Sequence, residues 1–173
     1  IGVTYRGFPT EECEVRNTFG SNISFRRSVF ESVGGFDTDL GRYGDRQIQG
    51  EETELAARMN DTFGEQVWYN PDAIVKHKVF SYRTESVWLI RRAFWQGYSK
   101  YVLDKIIDYS GGEESDFLTQ LCFEGLPRYG RQTIQNRSKS SLMKGLFAVV
   151  LTISVGAGYL YGLLSVAGLN RNG

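Results

Sequence analysis

Cysteine is nearly missing from this 173-residue chain. Cys13 and Cys122 are the two present, too few and too far apart for a disulfide framework, and both are expected as reduced thiols on the cytosolic side. An excess of either charge is missing too. Lysine and arginine number 20, aspartate and glutamate 20, so no global field argues for a nucleic-acid partner. There is no internal repeat and no low-complexity tract. There is also no signal peptide, and the chain opens on Ile1 in a stretch that reads like the middle of a protein; it is expected to be the C-terminal part of something longer. The most telling absence is local: from Gly145 to Leu169 no residue is charged.

As a helix that run would reach roughly 37 Å, at about 1.5 Å per residue, and a bilayer core needs about 20 apolar residues. Its glycine and serine content would be poor for a soluble helix but is normal inside a membrane. A transmembrane helix is therefore expected over residues 141–169. Arg128, Arg131, Arg137, Lys139 and Lys144 precede the uncharged run, and Arg171 follows it. By the positive-inside rule the preceding domain faces the cytoplasm, with the chain held at the cell membrane by one C-terminal anchor. The basic stretch also favours anionic headgroups, by about 1 kcal/mol per residue. An aromatic content of 14% suits a large core, a sugar site or a membrane interface.

Upstream, residues 14–25 alternate loosely and read as strand with a turn at Gly20-Ser21-Asn22. Arg26 to Val33 reads as a short helix closed by Gly34-Gly35, and residues 37–50 as a loop. Glu51 to Asn60 is expected as a helix, with Leu55 and Met59 one turn apart. Strands are expected over Gln66–Tyr69 and Ala73–Phe80 around the Asn70-Pro71-Asp72 turn. An amphipathic helix is expected over Glu85–Ile107, with the stripe Val87, Ile90, Phe94, Tyr98 and Tyr101. Another helix over Glu113–Leu126 should stop before Pro127. The pattern is α/β to about residue 80 and helical after it. Trp68 and Trp88 read as core and membrane-interface anchors.

Two acidic clusters compete for the chemistry. Asp37-Thr38-Asp39 has the D-x-D form of a metal–diphosphate site, but a helix and two glycines precede it where such a site needs a hydrophobic strand. A turn in which Asp bonds its own backbone is the better reading. Glu51, Glu52 and Glu54 fall in the first turn of a helix. Favourable interaction with the helix dipole explains acids there. Three acids within four residues also repel one another, which raises a pKa and can make a general base. Composition leaves both readings open.

The order of the pieces carries more. GSNISFRRSVFESVGGFD, then GEETELAARM, then VWYNPDAIVKH resembles the C-terminal half of a family-2 inverting glycosyltransferase with the Rossmann-like GT-A fold. RRAFWQGYSKYVLDK followed by a membrane segment further resembles haloarchaeal membrane glycosyltransferases, among them glucosyl-dolichyl-phosphate glucuronosyltransferases of S-layer N-glycosylation. The resemblance implies an acceptor-side half-domain over residues 1–80, an interfacial helical region over 81–140 and the membrane helix over 141–169. It places Asp37 in a structural G-G-F-D turn and puts the true D-x-D, with its divalent cation (Mg2+ or Mn2+), upstream of Ile1.

By the same resemblance Glu52 is the general base, with Glu51 its rival. Gly20, Ser21 and Asn22 would line the donor and acceptor pocket. His77 would complete the metal site or touch the diphosphate, although a lone histidine on a strand is more often structural. Arg91 and Arg92, also expected to bind substrate, sit where processive synthases carry Q-x-x-R-W; Arg91 replaces the Gln and Phe94 the Arg, which favours transfer of a single sugar. The implied reaction moves one sugar from a nucleotide sugar to a lipid-linked, dolichyl-type glycan. The alternatives are a polysaccharide or cell-surface glycan synthase of the same family, and a non-catalytic, membrane-anchored degenerate transferase.

Overall fold

A computed structural model of the protein describes residues 9–16, 19–44, 46–107, 119, 121–136 and 139–169. The chain forms two compact units, one ending at Arg83 and the other beginning at Thr84.

The described part of the first unit runs β1 (Cys13–Val15), α1 (Arg27–Val33), β2 (Arg42–Tyr43), β3 (Arg46–Gln47), α2 (Glu51–Phe63) and β4 (Val67–Tyr69). β1 pairs antiparallel with β4, Glu14 opposite Trp68, and β2 with β3. The core is small: Leu40, Ile48, Leu55, Ala56 and Met59. α2 forms because Leu55, Ala56 and Met59 recur on one face and bury it. Left-handed glycines bracket it, Gly50 (φ +115°) before and Gly64 (φ +69°) after, and the Gly64 N–H returns to Asn60 O at 2.7 Å. α1 ends as expected at Gly34, φ +85°. Beside it Phe25, Phe30 and Phe36 make three edge-to-face contacts with centroids 5.7–6.3 Å apart.

Five expectations need correction here. The strand read over 14–25 is three residues long, and residues 23–26 have no ladder. The loop read over 37–50 contains the β2–β3 hairpin. Residues 73–80 form no strand: all are exposed, and without a neighbouring chain to bond there is no ladder to join. No parallel sheet occurs among the described residues; the expected α/β half-domain has two α-helices and two small antiparallel ladders joined by irregular chain. Trp68, expected in the core, is 61% exposed.

The second unit contains α3 (Ser86–Ile106), a π-helical turn (Leu121–Gly125), α4 (Leu126–Asn136) and α5 (Lys139–Leu169). Residues 113–118 and 120 of the helix expected over 113–126 lie outside the described residues. Its expected stop does not occur: the π turn runs straight into α4, and Pro127 is the second residue of α4.

α5 confirms the expected long apolar helix and begins a few residues earlier. It is long and apolar enough to cross a membrane, with 11% of its most apolar window buried, unlike the core helix of a soluble protein. Ile153, Leu160 and Leu164 point outward. The hydroxyls of Thr152, Ser154 and Ser165 donate to carbonyls one turn back, so the helix satisfies its own polar groups.

α3 and α5 touch backbone to backbone. A Cβ built on Gly97 would lie 1.8 Å from Val155 O, and one on Gly158 the same distance from Phe94 O. Around that crossing Tyr161 meets Phe94 and Tyr98, and Tyr101 meets Tyr159. The Tyr159 hydroxyl donates to Asp104 Oδ2 at 3.1 Å, and Lys100 Nζ lies 3.1 Å from Asp104 Oδ1. The expected stripe holds at Phe94, Tyr98 and Tyr101, which meet α5, but it omitted the most buried small residues and included an exposed one. Gly97, Ser99 and Tyr101 are buried, while Val87 is 77% exposed.

Candidate functional site

An open cavity of about 410 Å3 lies in the first unit, lined by Gly20, Phe36, Asp37, Thr38, Glu51 and Glu52 among others. Two walls meet there. One is the turn after α1, whose Gly34-Gly35 reverses the chain and presents Phe36, Asp37 and Thr38. The other is the first turn of α2. The Gly20 loop closes the angle between them. It follows β1, which β4 holds. The Asn22 side-chain amide donates to Ala73 O at 2.5 Å, so the loop is tied to the turn after β4. That turn is closed in turn by the Asp72 N–H on Asn70 Oδ1 at 2.8 Å.

The two glutamates are held differently. Glu51 folds back on the backbone, its Oε2 accepting from the Gly50 N–H at 3.0 Å. Glu52 reaches across the cavity to the Gly20 loop: a Cβ built on Gly20 would lie 1.7 Å from Glu52 Oε1. Only glycine leaves that carboxylate its place. The acidic pair thus divides into one group bound to its own helix start and one facing the opposite wall. Asp37 behaves as the turn residue expected, its Oδ1 accepting from the Asp39 N–H at 2.8 Å, and it also lines the cavity. The two acidic clusters share one space.

Beneath the cavity Arg58 joins the walls. It lies one turn beyond Glu54 on α2, and its Nε and NH2 donate to the Glu54 carboxylate at 2.5 and 2.8 Å. NH2 also donates to Gly35 O at 2.7 Å, and NH1 donates to Val33 O. Glu54 is 5% exposed, so Arg58 neutralises a carboxylate that burial would otherwise penalise. The hydrogen bond from Glu54 holds the Arg58 guanidinium above its ordinary pKa, outweighing desolvation. For a cation with a raised pKa the stabilising charge is lost only as pH rises past the raised value, so Arg58 stays charged wherever the fold is stable.

The structure brings together Gly20, Glu51 and Glu52. Ser21 and Asn22 share the Gly20 turn but are not among the lining residues, and the Asn22 amide serves the backbone. His77 lies on the exposed segment after β4, apart from the cavity lining. Among the described residues no group of three or more His, Cys, Asp and Glu could hold a metal ion, so this part of the chain does not by itself fit a divalent cation. Arg91 and Arg92 belong to α3 of the second unit, while the first unit alone builds the cavity. Cys13 is a free, half-buried thiol; the Cys122 side chain lies outside the described residues. Sequence reasoning passed over Arg58, although a Glu-x-x-x-Arg spacing on α2 was there to be read.

Comparison with known proteins adds one relative. The chain is 42% identical over 165 residues to a glucosyl-dolichyl phosphate glucuronosyltransferase of Haloferax volcanii. The match covers 95% of this chain and 53% of that protein, so the chain spans about half the length of the curated relative it matches. No protein-family profile matches the chain, and no solved structure matches it. The likeness to haloarchaeal membrane glycosyltransferases read from the motifs is thereby borne out.

Proposed function

We propose that this chain is the acceptor-side part of a membrane glycosyltransferase. It transfers one sugar from a nucleotide sugar to a dolichyl-type, lipid-linked acceptor at the cytoplasmic face, with inversion, and α5 is its anchor. One observation carries the reading. The half-buried Glu52 faces a cavity of ligand size across a glycine that leaves room for its carboxylate, within a stretch related to a dolichyl phosphate glycosyltransferase.

An acceptor hydroxyl is a poor nucleophile until its proton leaves during attack on the anomeric carbon, and a carboxylate at the cavity wall can take that proton. Glu52 has that role. Glu51, bonded to the Gly50 N–H, fixes the start of α2, and Gly20 sets the reach of the base. A divalent cation would neutralise the leaving diphosphate, but the described residues do not assemble a site for it, so the role given to this chain ends with the proton. The acid favours an acceptor that ends in a sugar hydroxyl, since a bare lipid phosphate is already anionic.

The test is transfer by the protein in membranes, with labelled nucleotide sugars and dolichyl lipids, wild type beside Glu52→Gln. Loss of about 10²–10⁴-fold in rate with donor binding retained is expected. Undiminished transfer would move the base to Glu51 or make the acceptor a phosphate. No transfer by wild type with any donor would sink the reading.

A further inference from the structure

We infer that Arg58, paired with the buried Glu54, is a positioning residue that sets the width of the cavity by tying its two walls together; the inference rests on the transferase reading of that cavity. Arg58 stands on the helix that carries Glu51 and Glu52 and grips the opposite wall at its root. Its NH1 and NH2 donate to the carbonyls of Val33 and Gly35, the residues that lead into Phe36, Asp37 and Thr38. A carbonyl at a helix end and one in the following turn have no helical partner, so the guanidinium satisfies both at once.

Glu54 is what makes the grip rigid. It takes Nε and NH2 in a two-point contact that leaves NH1 and the far side of NH2 aimed at the turn. Glu54 is buried, so parting the pair would leave its carboxylate without compensation, and that cost holds Arg58 in place. The fork shape matters. A lysine would keep the charge but, as a single ammonium on a flexible stem, cannot hold the carboxylate and two carbonyls in fixed directions. Glu52 and the loop residues facing it are thereby held at one spacing, which a general base acting within hydrogen-bond reach of its proton requires.

The decisive comparison replaces the pair by apolar residues of similar length. Glu54→Met with Arg58→Met removes both charges, so neither is stranded, and it removes the grip on Val33 and Gly35. With the protein in membranes, the double variant should keep the wild-type melting temperature. The amides of Gly34 and Leu40, which bond Phe30 O and Asp37 O, should exchange about tenfold faster, with kcat lower by about 10- to 100-fold and donor KM unchanged. Arg58→Lys, which keeps a cation beside Glu54, should show the same changes in smaller measure. Wild-type exchange and kcat in a folded double variant would overturn the inference. Should the double variant melt early, the same result in a folded Arg58→Lys would overturn it. If wild type itself transfers no sugar, the transferase reading falls, and exchange at Gly34 and Leu40 alone decides whether Arg58 holds the wall.

Discussion

The two units use glycine for opposite purposes. In the first, Gly34, Gly41, Gly44, Gly50 and Gly64 all have positive φ; the residue is there for a dihedral, and the space around Gly64 is empty within 4 Å. In the second, none of the described glycines has positive φ, and Gly97 and Gly158 are there because another backbone occupies the place of a side chain. The first unit is thus a set of turns fixed by local conformation and by polar ties such as Arg58 and Asn22. The second is fixed by close contact between helices. Gly20 is a third case: its side-chain place is taken by the Glu52 carboxylate and not by a backbone.

That contrast can be broken at single positions. Gly158→Val should have the largest effect, because a methyl already collides with Phe94 O and the two backbones must part. A cost above about 3 kcal/mol is expected, read as lost protease resistance of residues 86–169 in detergent. Gly156→Val, two residues away with nothing within 4 Å of its Cβ, should leave that resistance unchanged. Leu55→Ala removes the most buried side chain of the first unit and should destabilise it by about 2–5 kcal/mol, measured from amide exchange of α2, with the α3–α5 contact unaffected. Gly64→Ala should cost about 1–2 kcal/mol by the left-handed backbone alone. Gly35→Ala, with neither positive φ nor a neighbour, should be close to neutral by the same measurement. Equal effects at Gly64 and Gly35 would remove the distinction between the two uses.

What could be read from the sequence was what short spacings determine. α1 and its glycine stop, α2 with its acidic first turn, the Asn70 turn and the long apolar helix all depend on residues within a few positions of one another. The expectation for residues 73–80 failed because a strand is completed by a partner that local alternation does not specify. The face of α3 was read correctly at Phe94, Tyr98 and Tyr101, but the apolar pattern gives weight to Val87 and none to Gly97, where the closest contact is made. At the cavity, Gly20, Glu51 and Glu52 were legible as a group through their motif order. Asp37 was read as turn alone, and its second place on the cavity wall depends on the fold bringing residues 37 and 52 together. Arg58 was missed because its partners are carbonyls, which every residue has.

The meeting of Gly20 with the Glu52 carboxylate also has a consequence for descent. Two positions 32 apart in the chain are thereby linked: a side chain at 20 turns the Glu52 carboxylate away from this wall, and once the acid is gone that clash at 20 disappears. Among diverging copies of this gene, those that use the acid in this position should therefore keep the small residue. A copy that keeps the acid but has gained a side chain at 20 has left this arrangement behind, however much of the surrounding motif it still spells.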